Sequence, residues 1–172
     1  MDWKPEKFTS KTQDALASSQ ELATRRGHPE FNSLHVLSVL LQDSQGIAGQ
    51  AIHSMGVSRS HLDTVIQAEL DSLSRVTGGN PPRPSQEIAT LLEECSAEAR
   101  RRGDELVGVN HVVAEIANER YSSGRVLKLA GVEQAGLTAA VADIRGDAPV
   151  DSPDAEDGFQ SLEKFGIDLV AL

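Results

Sequence analysis

The sequence predicts an all-α protein made of two tandem four-helix units. Apolar residues recur every three or four positions along most of the chain, which is the period of an amphipathic helix. Glycine, proline and capping residues divide this pattern into eight segments. The order of caps, stops and apolar positions then repeats, most visibly in the two Arg-Arg-Gly stretches at 25–27 and 101–103. Together these observations indicate an internal duplication.

The first unit, repeat one (8–73), is predicted to contain four helices. Thr9 is a suitable N-cap for the first helix, and Gly27 is a suitable stop. The four segments are residues 10–26, a second that begins at Asn32 or Ser33 and includes Leu37, Leu40 and Leu41, residues 46–55, and a fourth after Ser58 that includes Leu62, Val65, Ile66 and Leu70.

The second unit, repeat two (85–146), follows a predicted linker over residues 74–84. This linker contains TGGNPPRP, whose glycines and prolines do not continue a helix. Ser85 caps the next predicted helix, and Gly103 stops it. The three helices that complete the unit are predicted at 109–120, 124–130 and 132–144.

The two units align position by position, with a one-residue slip between the second and third helices. Pairs 76 positions apart share their type, and after the slip the same holds at 75. These pairs are Thr9 with Ser85, Leu16 with Leu92, Gly27 with Gly103, His35 with His111, Leu40 with Ile116, and Leu62 with Leu137. We therefore expect an approximate two-fold axis, and one shared core over residues 1–146, because each unit alone is small.

Composition and charge restrict the class of function. The formal net charge is −10, which disfavours nucleic acid as a partner. Five acids without a base lie in residues 147–158, so this stretch is predicted to be a flexible acidic linker. Residues 159–172 become apolar again, and we expect them to begin a further domain of a larger protein. No secretion signal or membrane-spanning run is found in the sequence, so a cytoplasmic location is expected.

No catalytic or metal motif is found in the sequence. A phosphate loop and the usual zinc spacings are both absent. His35 and His111 each start the second helix of a unit, where packing is the simpler interpretation than metal binding. Cys95 lies on an apolar stripe and is interpreted as core. From the residues alone, the chain is expected to be a helical binding module without enzymatic activity of its own.

Three stretches resemble a known family. They are FTSKTQDALASSQELATRRGHPEFNSLHVLSVLL (8–41), SQEIATLLEECSAEARRRGD (85–104) and SLEKFGIDLVAL (161–172). The duplicated pattern resembles the Clp repeat domain at the N-terminus of Clp-type AAA+ ATPases. The third stretch is similar to the start of the first ATPase module in ClpB-type disaggregases, and the resemblance to that type extends over essentially the whole chain.

The resemblance implies a function. ClpB-type proteins are homo-hexameric chaperones that thread aggregated proteins through a pore, using ATP and magnesium and working with the DnaK system. Their N-terminal domain binds exposed segments of unfolded or aggregated clients. The nucleotide motifs belong to the AAA+ modules beyond these residues, so no cofactor and no ATP hydrolysis are expected here.

The resemblance also implies client-binding residues at the junction of the repeats. Thr9, Asp104 and Asn110 match positions implicated there, although the family usually carries Glu at the position of Asn110. The corresponding position in repeat one is Leu34. Glu94 and Glu98 match positions that can be apolar, so a more acidic groove is expected.

Two other uses of the same fold remain open. The domain could dock folded adaptor proteins, as in ClpA-type and ClpC-type unfoldases. It could instead hold phospho-arginine or another small ligand, for which acidic residues such as Glu98 and Asp104 would have to bind a guanidinium group.

Overall fold

A computed structural model describes residues 4–146 and 148–156, and α-helices make up most of this part of the chain. A short 3-10 turn, Pro5–Lys7, precedes the first helix. The eight helices are α1 (Ser10–Arg26), α2 (Ser33–Gln42), α3 (Ile47–Ser54), α4 (Arg59–Ser72), α5 (Gln86–Arg101), α6 (Val109–Ile116), α7 (Ser122–Leu129) and α8 (Gln134–Arg145). The all-α prediction is confirmed.

Capping explains where the equivalent helices begin and end. The Thr9 and Ser85 hydroxyls accept hydrogen bonds from Thr12 N and Ile88 N, each at 3.2 Å, at the starts of α1 and α5. Gly27 and Gly103, which follow these helices, have φ angles of 74° and 75°. That left-handed conformation favours glycine, so both Arg-Arg-Gly stretches are helix ends followed by a turn.

The helices pack around one core with two-fold pairing. Helix α3 packs on α8, and its symmetric counterpart is the packing of α7 on α4. Helix α2 likewise contacts α7, as α6 contacts α3. Each repeat therefore buries its apolar face partly against the other repeat, as expected for units that are too small to enclose a core alone. The largest fully buried side chains come from both: Leu34, Leu37, Leu41, Leu62, Ile66, Leu70, Ile88, Leu91, Ile116, Tyr121 and Leu127.

Two short parallel pairings cross the junction of the repeats. Strand β1 (Glu30–Phe31) pairs with β2 (Arg83–Pro84), and Phe8 forms an isolated bridge with Val107. The second pairing is the two-fold image of the first, because Phe31 corresponds to Val107 and Pro84 to Phe8. Thus the end of the predicted linker 74–84 is paired with repeat one. This is a long-range contact that local propensity does not indicate.

Glu87 of α5 pins the starts of two helices. Its Oε2 accepts from the Ser33 N–H at 3.0 Å and the Ser33 hydroxyl at 2.6 Å, and its Oε1 accepts from the Ser122 N–H at 2.6 Å. Helix N-termini have N–H groups without helical partners, and an ionised acceptor there makes strong hydrogen bonds. Glu87 thereby joins α5 to α2 and α7.

The acidic segment differs from the flexible linker predicted at 147–158. Residues 148–156, which we call the strap, pack along the junction of the repeats, and Val150 and Glu156 are buried at 0% and 2% exposure. The residues between these two anchors, 151–154, are exposed. The acidic composition of the segment as a whole therefore gives no sign that Val150 and Glu156 are buried. The predicted start of a further domain, 159–172, lies outside the described residues.

We expect Glu87→Ala to lower the free energy of unfolding by about 2–4 kcal/mol, because it leaves donors at two helix starts without their acceptor. Chemical denaturation of this variant and the parent chain measures the difference. Glu93→Ala is the matched control, since Glu93 is an exposed acid on the same helix, and we expect it to change stability by less than about 0.5 kcal/mol. Equal effects of both variants would contradict the pinning role.

Candidate functional site

Thr9 lies buried where the strap crosses the start of α1. Its hydroxyl caps α1 and donates to Glu156 Oε1 at 2.7 Å. The same carboxylate oxygen accepts from the Val109 N–H at 2.9 Å, at the start of α6. Thr9 is therefore enclosed by the strap, and another molecule would reach it only after the strap had moved.

Asp104 is buried at the other end of the strap. Its Oδ2 accepts from His111 Nε2 at 2.8 Å, and its Oδ1 accepts from Arg145 Nη2 at 2.5 Å and from Val150 N at 3.2 Å. Burial raises the pKa of this carboxyl, but the hydrogen bonds from Arg145, His111 and Val150 outweigh burial and hold the pKa below its ordinary value. Asp104 is thus an ionised anchor that links the loop between α5 and α6 with α8 and the strap.

Asn110 lies between the strap and an open groove. This groove of about 190 Å³ is formed by α5, α6 and α8, and its lining includes Glu98, Asn110, Val141 and Arg145. Asn110 Oδ1 is buried without a hydrogen-bond partner in the described residues, close to Gly108 and the Glu156 carboxylate. The structure therefore brings Asn110 next to Thr9 through Glu156, and next to Asp104 through Arg145.

The charge expected from Glu94 and Glu98 is largely balanced by arginines. Glu98 accepts from Arg101 at 2.6 Å and from Arg102 at 2.7 Å, and the hydrogen bond from Arg102 is the main cause that lowers the pKa of Glu98. Glu94 lies outside the groove lining, 3.9 Å from Arg120. The groove consequently presents paired charges instead of the excess of acid that the sequence suggested.

Two buried histidines accept hydrogen bonds from main-chain N–H groups at the starts of α2 and α6. His35 Nδ1 accepts from Asn32 N at 2.9 Å, and His111 Nδ1 accepts from Gly108 N at 2.8 Å. An accepting Nδ1 assigns the proton of the neutral ring to Nε2. This Nε2 then donates to Asp104 in repeat two, and to His28 Nδ1 at 2.9 Å in repeat one. Both histidines are therefore packed between elements of the fold, as the simpler interpretation predicted.

Sequence reasoning missed four residues of this site: Gly108, Arg145, Val150 and Glu156. One signal was available, because repeat one has Asn32 at the N-cap position where repeat two has Gly108. Asn32 accepts from Leu34 N at the start of α2, whereas Gly108 provides no side-chain acceptor at the start of α6. Glu156 accepts from a different N–H there, that of Val109. The strap contacts themselves span more than 40 positions in sequence, and no local pattern indicates them.

The arrangement favours noncovalent binding. Among the described residues no group of three or more His, Cys, Asp or Glu side chains is placed to hold a metal ion. The Cys95 thiol is buried, and burial raises its pKa, so it is poorly suited to act as a nucleophile. What the site offers is main-chain donors and acceptors, paired charges and an open groove.

This fold places the chain in a class of duplicated all-helical domains, whose two four-helix repeats share a core. The chain belongs to the family of Clp repeat N-terminal domains. The model of that family, the Clp repeat (R) N-terminal domain, matches residues 7–130, which is more than half of the chain.

Similar proteins include chaperones of the ClpB type. The chain is 33% identical over 172 residues to the chaperone protein ClpB of Rhodopirellula baltica, and 34% identical over 168 residues to that of Rhizobium meliloti. These alignments cover 100% and 96% of this chain but 20% and 19% of the relatives. The chain thus spans about a fifth of the length of these relatives, and it is similar to their N-terminal region.

Solved structures share the fold. The Hsp104 N-terminal domain from Candida albicans matches with a TM-score of 0.78 at 17% identity, over 86% of this chain and 97% of that one. The ClpV N-domain in complex with a VipB peptide matches with a TM-score of 0.64 at 20% identity, over 80% and 86%. In the part of the chain that the structure describes, no helix has the length and apolar character needed to cross a membrane.

We expect stability to fall as the pH drops from 6.5 towards 4, in part because of His35. Burial lowers the pKa of His35 from 6.5 to about 4, so in this window the unfolded chain takes up a proton that the folded chain does not. Between pH 7.5 and pH 5 this histidine alone should account for about 1–2 kcal/mol of unfolding free energy.

The measurement compares denaturation curves at the two pH values for the parent chain and His35→Gln, whose side-chain oxygen can still accept from Asn32 N. The pH-dependent loss should be smaller in His35→Gln. His61→Gln removes an exposed histidine and should leave the loss unchanged. A loss of the same size in His35→Gln as in the parent chain would refute the assignment.

Proposed function

We propose that this domain binds exposed segments of unfolded or aggregated proteins for a ClpB-type, ATP-dependent disaggregase in the cytoplasm. The observation that carries the proposal is the convergence of Glu98, Asn110 and Arg145 on one open groove at the junction of the repeats, with Arg145 held in place by the buried Asp104 behind it. The similarity to the N-terminal region of ClpB chaperones over the whole chain supports the same conclusion.

The groove suits recognition of many sequences. Val141 and Ala114 supply apolar wall, while Gln134 supplies an amide group, which can bind peptide groups of any sequence. Since the cavity is small, a single segment should bind weakly, with a Kd in the micromolar to millimolar range. In a homo-hexamer, six such domains near the pore would raise the effective concentration of sites for one aggregated client.

Other parts of the proposed assembly lie outside this domain. Hydrolysis of ATP with magnesium belongs to the AAA+ modules of a ClpB-type protein, and cooperation with a DnaK-type chaperone belongs to the full-length protein. The role proposed here is to capture client segments and deliver them to the pore.

Docking of a folded adaptor is the second candidate. A structure of the related ClpV N-domain is a complex with a VipB peptide, so a defined peptide partner is compatible with this fold. A phospho-arginine pocket is less favoured. Glu98 is paired with Arg101 and Arg102, and Asp104 with Arg145, so neither acid is available to a guanidinium ligand in this arrangement.

The test is titration of the isotopically labelled chain with a permanently unfolded model protein, followed by NMR. We expect progressive shifts for amides of Glu98, Asn110 and Ala114 and smaller ones elsewhere. Ala114→Arg places a long charged side chain in the groove and should weaken binding at least fivefold. Ala68→Arg makes the same change at an exposed position of α4, outside the groove, and should have no effect.

Two results would count against client binding. One is the lack of any shift at millimolar concentrations of the unfolded protein. The other is one-to-one binding of a single folded partner without any response to unfolded chains, which would favour adaptor docking.

A further inference from the structure

The strap is held as a bound peptide is held, through its main chain and two anchor side chains. Val150 O accepts from Glu105 N at 3.0 Å and Leu106 N at 3.1 Å, and Pro153 O accepts from Ser10 N at 2.8 Å. Arg145 Nε donates to Ala148 O at 2.9 Å. The donors come from α1, the loop between α5 and α6, and α8, so both repeats contribute to one continuous surface.

The two anchors, six positions apart, fill separate places on this surface. The Val150 side chain is buried in the core cluster. The Glu156 carboxylate meets the Val109 N–H at the start of α6 and the Thr9 hydroxyl at the start of α1. Residues 151–154 between the anchors are exposed. Binding therefore depends on an apolar residue and an acid at fixed spacing, and it places little demand on the residues between them.

The duplication explains why an acid is bound at this place. In repeat one, the first N–H of α2, at Ser33, is satisfied by Glu87 of the opposite repeat. The two-fold image of Ser33 is Val109, and the image of Glu87 is Lys11, which has donors only and is unable to accept. The start of α6 therefore needs an acceptor from elsewhere, and the strap supplies Glu156.

Gly108 leaves the room that the strap requires. A Cβ atom at this position would lie 2.9 Å from Glu156 Oε1 and 3.1 Å from a Val150 methyl group, as well as 2.5 Å from Asn110 Oδ1. The φ of Gly108 is −96°, a conformation that any residue adopts, so its backbone does not require glycine. Close approach of the Asn110 side chain and of the two anchors does.

We propose that this surface is a second polypeptide-binding site, for linear acidic segments with an apolar residue six positions before a carboxylate, and that the strap is its resident occupant. A client segment of this kind binds when it displaces the strap. An acid is favoured at this position because the N-terminus of α6 points at the carboxylate, whereas the groove that Glu156 lines carries Lys11 together with Asp14 and Asp43. The proposal rests on the proposed function only in naming clients as the displacing segments.

The strap competes with a free peptide for this surface, and its covalent connection to α8 gives it an advantage. A segment joined to its site by a short connection has an effective concentration on the order of millimolar. A free peptide with the same contacts must overcome this advantage, so it should bind the parent chain at least tenfold more weakly than a chain whose own strap is weakened. Weakening the strap should also expose Thr9 and the Val109 N–H to clients.

The experiment uses the whole chain with Glu156→Ala, which alters the occupant and leaves the surface intact. Asp154→Ala is the matched control, because it removes one exposed acid from the same strap. A synthetic peptide of residues 147–158 is added, and amide shifts of Ser10, Glu105, Leu106 and Val109 are followed. We expect binding to the Glu156→Ala chain at least tenfold tighter than to the parent and Asp154→Ala chains.

Two further variants secure the assignment. The 147–158 peptide with Val150→Ser and Glu156→Ala should not bind. The chain with Gly108→Ala and Glu156→Ala should fold but lose the tenfold gain, because the added methyl group occupies the space of the anchors. If the peptide binds all chains equally, or shifts none of the four amides in the Glu156→Ala chain, the second site is refuted.

The unfolded model protein then separates this inference from the proposed function. Tighter client binding to the Glu156→Ala chain, with shifts at Val109, supports displacement of the strap. Client binding that is sensitive to Ala114→Arg but unchanged by Glu156→Ala leaves the proposed function standing and refutes displacement. Peptide exchange without any client binding would show the reverse: a polypeptide site is present, but client capture is refuted.

Discussion

Satisfying the buried starts of the two central helices is the constraint on which the rest of this structure depends. Helices α2 and α6 begin inside the junction of the repeats, where the residues at their first positions, Ser33 and Val109, are buried. The first N–H groups of a helix have no helical partner, and leaving one buried without an acceptor costs about 1–3 kcal/mol. The two acids that accept from these first N–H groups, Glu87 and Glu156, therefore also connect distant parts of the chain.

The two repeats meet this constraint in different ways. At α2, Asn32, His35 and Glu87 supply three acceptors from within the two repeats. At α6, His111 serves as His35 does, but Gly108 offers no side chain, and Lys11 replaces the acid. The acceptor that replaces the acid, at the Val109 N–H, comes from Glu156, beyond the last repeat helix. Divergence of the duplicated sequence thus extends the structural unit past residue 146.

How much of this could be predicted from the sequence depends on how far apart the interacting residues lie. The all-α class and the duplication could be predicted, because caps such as Thr9, stops such as Gly27 and the apolar spacing act within one or two turns. The pairing of β1 with β2 could not, since it joins residues more than 50 positions apart with no alternating pattern. The packing of the strap could not be predicted for a related reason. The composition of the segment is dominated by its exposed acids, whereas its packing depends on two buried anchors.

The candidate site follows the same division. The family resemblance implies Thr9, Asp104 and Asn110 as site residues, and in the structure all three lie beside the strap. Residue identity alone could not show that Thr9 and Asp104 are enclosed, or that Arg101 and Arg102 balance Glu98. Those facts depend on side chains brought together by the fold.

Displacement of the strap, as proposed above, would change the surroundings of the buried Asp104 carboxylate. Asp104 contacts the strap and α8 and lies beside His111 of α6, so a change of occupant alters the partners of one buried carboxylate. The strap also leads directly to residue 157 and the rest of the chain. Because the strap is also the segment that joins α8 to residues 157–172, its displacement by another polypeptide, as proposed above, would release that connection from the junction of the repeats.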